Sequence, residues 1–141
     1  MDGAVLERDL VMDLLLAPGH SVPVPTRLTY RAADPFAVRI VFHADAAAPV
    51  VWTFARELLL EGLFRPVGEG DVRVWPTESG TGSELNVLLR SPDGDAFLRA
   101  RAAEVSVFVG RTLDVVPPGT ETGDTGMARV LEALLGPDPR P

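Results

Sequence analysis

The chain has 141 residues and a mass of 15.1 kDa, a length that fits one compact domain. It has no cysteine, which excludes disulfides and thiolate metal sites. Twenty acids against thirteen bases, all of them arginine, leave a net charge of −7, so phosphate backbones are repelled unless arginines gather into a dense patch, and no local run of them occurs.

The opening residues MDGAVLERDLVMDLLLAPGH are acidic where a secretory signal is basic, and charges interrupt their apolar run. No stretch approaches the ~18 uninterrupted apolar residues of a membrane span. A soluble intracellular protein without direct membrane insertion is therefore expected. The hydrophobic fraction of 46% is enough for a real core.

From Leu6 to Leu16 a period of two puts Leu6, Leu10, Met12, Leu14 and Leu16 on one face and Glu7, Asp9 and Asp13 on the other, which predicts a strand. Pro18-Gly19 and then Pro23 and Pro25 are read as breaks. Arg27–Arg31 alternates again, Ala33-Asp34-Pro35 is a turn, and Phe36–Ala44 returns as a second strand of an antiparallel hairpin. Phe36, Val38, Ile40 and Phe42 are expected to point inward, with Arg39 and His43 outward. Val50 and Val51 extend the β-character to Trp52.

Thr53 is the predicted N-cap of a short helix over 54–63, with Phe54, Ala55, Leu58 and Leu59 as its apolar stripe and Arg56, Glu57 and Glu61 facing water. Gly62 is a stop signal. Gly68-Glu69-Gly70 turns into a strand over 71–75 that Pro76 ends. The loop 78–83 is flexible by composition. A hairpin follows, with Leu85, Val87 and Leu89 alternating, a Ser91-Pro92-Asp93-Gly94 turn and a return over 96–99. Val105, Phe108, Val109, Thr112 and Val116 recur at helical spacing, so 102–116 is a second helix that Pro117-Pro118-Gly119 stops. A short C-terminal helix is expected over 125–135. Residues 1–136 form a single α+β domain with no internal sequence repeat, and 137–141 a frayed tail.

The inventory of chemistry is thin. His20 and His43 are the two histidines, and His43 with Asp45 would need a third ligand from elsewhere to hold a metal. No GxSxG elbow is present. Glu57 and Glu61, four apart, could share a helix face as an acid–base pair, but beside Arg56 and Arg65 a solvated face is the simpler reading. The glycines at 68, 70, 80 and 82 are turn residues, because a phosphate loop needs a lysine the chain lacks. Trp52 and Trp75 suggest base stacking in isolation, yet both stand in apolar-alternating contexts that favour a core role for at least one. No catalytic group, cofactor or metal is expected, which leaves surfaces as the carriers of function.

The block FARELLLEGLFRPVGEGDVRVWP, with SVPVPTRLTYRAADPFAVRIVFHA before it and LLRSPDGDAFLRA and VVPPGTE after it, resembles the SsgA-like sporulation and cell-division regulators of actinomycetes over residues 21–121. Trp52, Phe54, Gly62, Trp75 and Pro76 are the structural part of that signature. The resemblance implies a curved antiparallel sheet packed with two to three helices, similar to the Whirly single-strand nucleic acid binders and assembled as a homotrimer. It also implies a non-enzymatic, cytoplasmic protein at division septa. Such a protein would select septum sites by recruiting the tubulin-like FtsZ together with SsgA-type division proteins. The polar signature residues without an evident core role, Arg56, Glu57, Glu61, Arg65 and Arg73, are the partner-interface candidates. Their alternative is a solvated face or an intersubunit salt bridge. The rival reading is a Whirly-like single-stranded nucleic acid binder, which the acidic balance disfavours; a third, a small enzyme on cell-wall precursors, would need a pocket at His43 or at Glu57 and Glu61.

Overall fold

A computed structural model describes residues 3–43, 47–92 and 94–120. The order of elements is β1 (Val5–Ala17), β2 (His20–Arg31), β3 (Asp34–Phe42), β4 (Val50–Ala55), α1 (Arg56–Gly62), β5 (Val67–Glu69), β6 (Val72–Ser79), β7 (Gly82–Ser91), β8 (Gly94–Arg101) and α2 (Ala102–Val115). Four strands and a helix therefore occur twice in succession, a repeat of architecture that no sequence repeat announces. The strands form one curved antiparallel half-barrel in the order β4-β3-β2-β1-β8-β7-β6-β5. Each meander pairs neighbour with neighbour. The two join where β1 meets β8, through Asp13↔Arg99, Leu14↔Leu98 and Leu15↔Phe97 alone.

Alternation along the strands divides the sheet into two faces. The inner face presents Leu10, Met12, Val24, Leu28, Val38, Ile40, Phe42, Phe54, Val74, Leu85, Val87 and Leu98, and both helices cover it. Val105, Phe108, Val109 and Thr112 of α2 are buried there, as the helical period predicts despite the β-branched residues. Leu59 is the fully buried apolar side chain of α1.

Several boundaries depart from expectation for physical reasons. Pro23 and Pro25 lie inside β2 opposite Asp13 and Val11 rather than breaking it. Pairing of β2 with β3 stops at Thr26, so the prolines occupy a stretch with a neighbour on one side only, where a missing N–H is tolerated. Phe36 is exposed, not inward, because the β2–β3 register shifts between Tyr30 and Arg31 and takes it out of the pleat; Pro35 is buried instead. Leu16, beyond a second irregularity at Leu15 and Ala17, is exposed as well.

Thr53 does not cap α1. It stays paired with Arg39, the strand runs on to Ala55, and Ala55 stands at the cap in an extended conformation without a side-chain cap bond. Nor does Pro76 end its strand: β6 continues to Ser79, past the end of β5, and the loop over 78–83 contracts to a hairpin with Ser79 opposite Gly82. The expected helix over 125–135 and the tail at 137–141 lie outside the described residues.

Candidate functional site

On the outer face, away from the helices, the registers line up two rows of side chains across β1, β8, β7 and β6. One row runs Leu15, Phe97, Leu88, Arg73 and ends at Gly68 on β5. The other runs Asp13, Arg99, Asn86 and Trp75. Leu85, Val87 and Leu89 take the inner face of β7, which leaves Asn86 and Leu88 as the outer pair.

Asn86 is fully buried although it points away from the core, because its neighbours close over it. Its Nδ2 donates to the Trp75 carbonyl at 3.1 Å and to Thr77 Oγ1 at 3.0 Å. Its Oδ1 accepts from Arg99 Nε at 3.0 Å. Both donors and the acceptor are used, which is the condition for burying an amide without a large penalty. The Arg99 guanidinium also lies 5.7 Å from the Phe97 ring and 3.7 Å from Glu84, and Trp75 and Phe97 stack at 5.4 Å with a 60° tilt. The network ties the Trp75 main chain to its neighbours, and the Phe97 ring backs the indole.

Beside Trp75 a cleft of about 420 Å³ opens at the β5 end of the sheet, walled by Pro66, Val67, Gly68, Arg73, Trp75 and Leu88. Arg73 is exposed, is the one charge in that wall, and has no ion-pair partner among the described residues. Gly68 keeps the cleft open: a Cβ there would stand 3.3 Å from Arg73 Cγ and 3.4 Å from the Val72 carbonyl oxygen. The Gly68-Glu69-Gly70 stretch is thus a short strand followed by a turn at Gly70, whose φ of 59° suits glycine.

The five interface candidates do not come together. Arg56, expected to face water, is 1% exposed. Its Nη1 donates to Tyr30 Oη at 3.1 Å and to the Thr112 and Val116 carbonyls at 3.1 and 2.7 Å. The guanidinium carbon lies 5.3 Å from the Tyr30 ring centre, and Tyr30 Oη donates to the Pro35 carbonyl at 2.9 Å. A cation at the carbonyl end of α2 serves the Val116 carbonyl and a second lone pair of the Thr112 carbonyl, which already takes the Val116 N–H, and it complements the helix dipole. Arg56 is an internal clamp, not a partner contact.

Glu57 is exposed on α1, while Glu61 holds Arg65 through bonds of 3.2 and 2.6 Å to one carboxylate oxygen. That solvent-side trio lies on the helix side of the sheet, and Arg73 lies on the opposite face. Trp52 packs half-buried against the inner core and Phe54 is buried, whereas Trp75 belongs to the outer face. One tryptophan is core and the other is surface-facing. Gly62 admits close approach of α1 to the sheet, since a Cβ there would fall 2.3 Å from Val74 Cγ1. His43 is exposed with φ 55°, and Asp45 lies outside the described residues.

Outer-face arginines are interleaved with acids: Arg27 bonds Asp9 at 2.7 Å, Arg39 faces Asp34 at 3.9 Å, and Arg99 is held as above. The hydrogen bond from Arg27, followed in size by the opposing effect of hydration loss and then by its charge, holds the Asp9 carboxyl below the usual carboxylate range. Sequence reading missed Asn86, Leu88 and Phe97 and took Gly68 for a plain turn. The available signal was an asparagine set inside the alternating run ELNVLL, at the phase opposite the apolar residues.

A family model described as Streptomyces sporulation and cell division protein, SsgA, matches residues 24–121. The chain is 48% identical to the sporulation-specific cell division protein SsgB of Streptomyces coelicolor, over 90% of this chain and 93% of that protein. It is 41% identical to the protein of that name from Thermobifida fusca, over 85% and 87%. Among solved structures, the SsgA-like sporulation-specific cell division protein of Thermobifida fusca superposes with a TM-score of 0.82 at 38% identity, covering 94% of this chain and 98% of that one. An SsgB structure from Streptomyces coelicolor, where mutations in SsgB correlate to longitudinal cell division during sporulation, gives 0.81 at 45%, covering 86% and 95%.

Proposed function

The chain belongs to the SsgA family of sporulation and cell division proteins, a family of regulators and not a known enzyme family, and from that membership we propose that it acts as a non-enzymatic scaffold in septum-site selection. Its work is positional: it binds division proteins, FtsZ and an SsgA-type protein among them, and raises their local concentration at the future septum from the cytoplasmic side. A homotrimer presents each contact three times, so single contacts of modest strength gain avidity. Among the described residues no helix is long and apolar enough to cross a membrane.

The observation that carries this reading is the outer-face cleft. A tryptophan backed by Phe97, an apolar wall and one exposed arginine with no ion-pair partner among the described residues form a surface suited to gripping another chain. Capture experiments from sporulating cells, with the purified protein as bait, are expected to retain FtsZ or the SsgA-type protein. Retention of wall-synthesis proteins in their place would assign the chain to another branch of division. Sedimentation is expected to give three times the monomer mass, and a monomer at micromolar concentration would remove the avidity argument.

The nucleic acid reading draws on Trp75, Phe97 and the arginines sharing one face. Three of those arginines already hold carboxylates, and the chain carries −7 overall. Labelled single strands at low salt are accordingly expected to bind weakly, and tight binding that falls steeply with salt would reverse the choice.

A further inference from the structure

We infer that the cleft at Arg73 and Trp75 receives an extended acidic peptide that adds to the free edge of β5, with a carboxylate reaching Arg73 across Gly68 and an apolar side chain two residues away resting between Pro66 and Trp75. This deepens the scaffold reading and rests on it. Three features of the site define the occupant.

The first is the edge. β5 ends the strand order, and among the described residues no strand pairs with its outer side. An unpaired edge offers main-chain donors and acceptors to an extended segment, the ordinary route of strand addition. At three residues β5 is too short to template long aggregates yet long enough for a short motif.

The second is spacing. Gly68 lies opposite Arg73, so a residue added opposite Gly68 puts its side chain on the same face, two strands from Arg73. Strands stand about 4.8 Å apart, and the gap of roughly 10 Å is bridged by a long guanidinium side chain and a carboxylate once nothing stands between them. Gly68 supplies that emptiness. Two residues along, the next side chain on this face falls beside Pro66 and Trp75, where the wall is apolar.

The third is charge. Arg73 is the single charge of the cleft and is positive in a chain of −7, so the site selects anionic segments locally while the rest of the surface disfavours nonspecific ones. The pattern acid–any–apolar defines the partner segment. Read in reverse the pattern serves the opposite strand direction.

The test uses the full chain carrying Trp52→Phe, which leaves Trp75 as the fluorescent reporter. The probes are the capped peptide Thr-Glu-Thr-Leu-Thr-Glu-Thr and its counterpart with lysine at both glutamate positions. The acidic peptide is expected to shift Trp75 emission saturably and to bind about tenfold more tightly than the lysine peptide, and Arg73→Glu is expected to invert that preference. Gly68→Val, which fills the gap without altering charge, is expected to abolish acidic binding; it serves as the second variant if Arg73→Glu fails to fold by circular dichroism. Equal binding of both peptides, no binding of either at millimolar concentration, or indifference to both substitutions would overturn the inference. Capture of FtsZ or the SsgA-type protein is scored separately: if the wild-type protein and Arg73→Glu capture equally well, the cleft is wrong and the scaffold stands, and if neither captures, the scaffold reading falls while the titration still judges the cleft.

Discussion

Arg56 shows how one residue can be mistaken for a surface group and still be indispensable. Its sequence neighbours, Ala55 and Glu57, give it the phase of an amphipathic helix flank, so a water-facing position is the natural expectation. Pattern reading has no access to α2, more than forty residues further on, at whose carbonyl end the Thr112 and Val116 oxygens accept from this guanidinium. Arg56→Met leaves those carbonyls and Tyr30 Oη without the bonds named above and is expected to cost about 3 kcal/mol in urea unfolding. Arg56→Lys is expected to lose less, because an ammonium keeps the positive charge and has donors for the oxygens that Nη1 serves. A second test at this scale concerns Asp9. Its carboxyl is held below its usual range by Arg27, so the pair's contribution is present at neutral pH and above the usual carboxylate range, and is lost as pH falls through the lowered value. Carboxyl NMR titration is expected to give a midpoint for Asp9 that moves upward in Arg27→Gln, with no change in stability near pH 7 from the titration itself.

At the scale of elements, periodicity carried most of the fold. The acidic phase of β1, the β2–β3 and β7–β8 hairpins and the helical stripe of α2 all follow from local alternation, which is why they were legible. What escaped was set by neighbours. Pro23, Pro25 and Pro76 are strand residues here because each lies where one adjacent strand has ended, and only the sheet order shows that. The site escaped in the same way: Arg73 and Trp75 could be singled out, but their company of Leu88, Phe97 and Asn86 depends on two registers at once. Gly62 illustrates the converse. In the sequence it is a stop signal, and the structure adds a steric duty, since Val74 Cγ1 occupies the space a side chain would need. Gly62→Ala is expected to destabilise by about 2 kcal/mol, because helix and sheet must part to admit the methyl group. Unchanged urea midpoint in that variant would mean that α1 can shift on the sheet without loss.

For the molecule as a whole, two meanders of four strands each end in a helix, and the helices share the inner face while the outer face is left for company. That division places structural duty on Arg56, Leu59 and Gly62 and frees Arg73 and Trp75 for contact. The narrow junction of β1 with β8 has a kinetic consequence. Pairs within each meander are close in sequence and cheap to form, whereas Leu14 meets Leu98 only after most of the chain has been brought round. Folding should therefore cross its barrier with the meanders partly built and the junction still open. Leu14→Ala is expected to steepen the loss on the unfolding side, leaving the refolding arm of the chevron nearly in place, and a slowed refolding arm would instead put the junction inside the nucleus. Its lifetime, more than its formation, would then rest on three residue pairs.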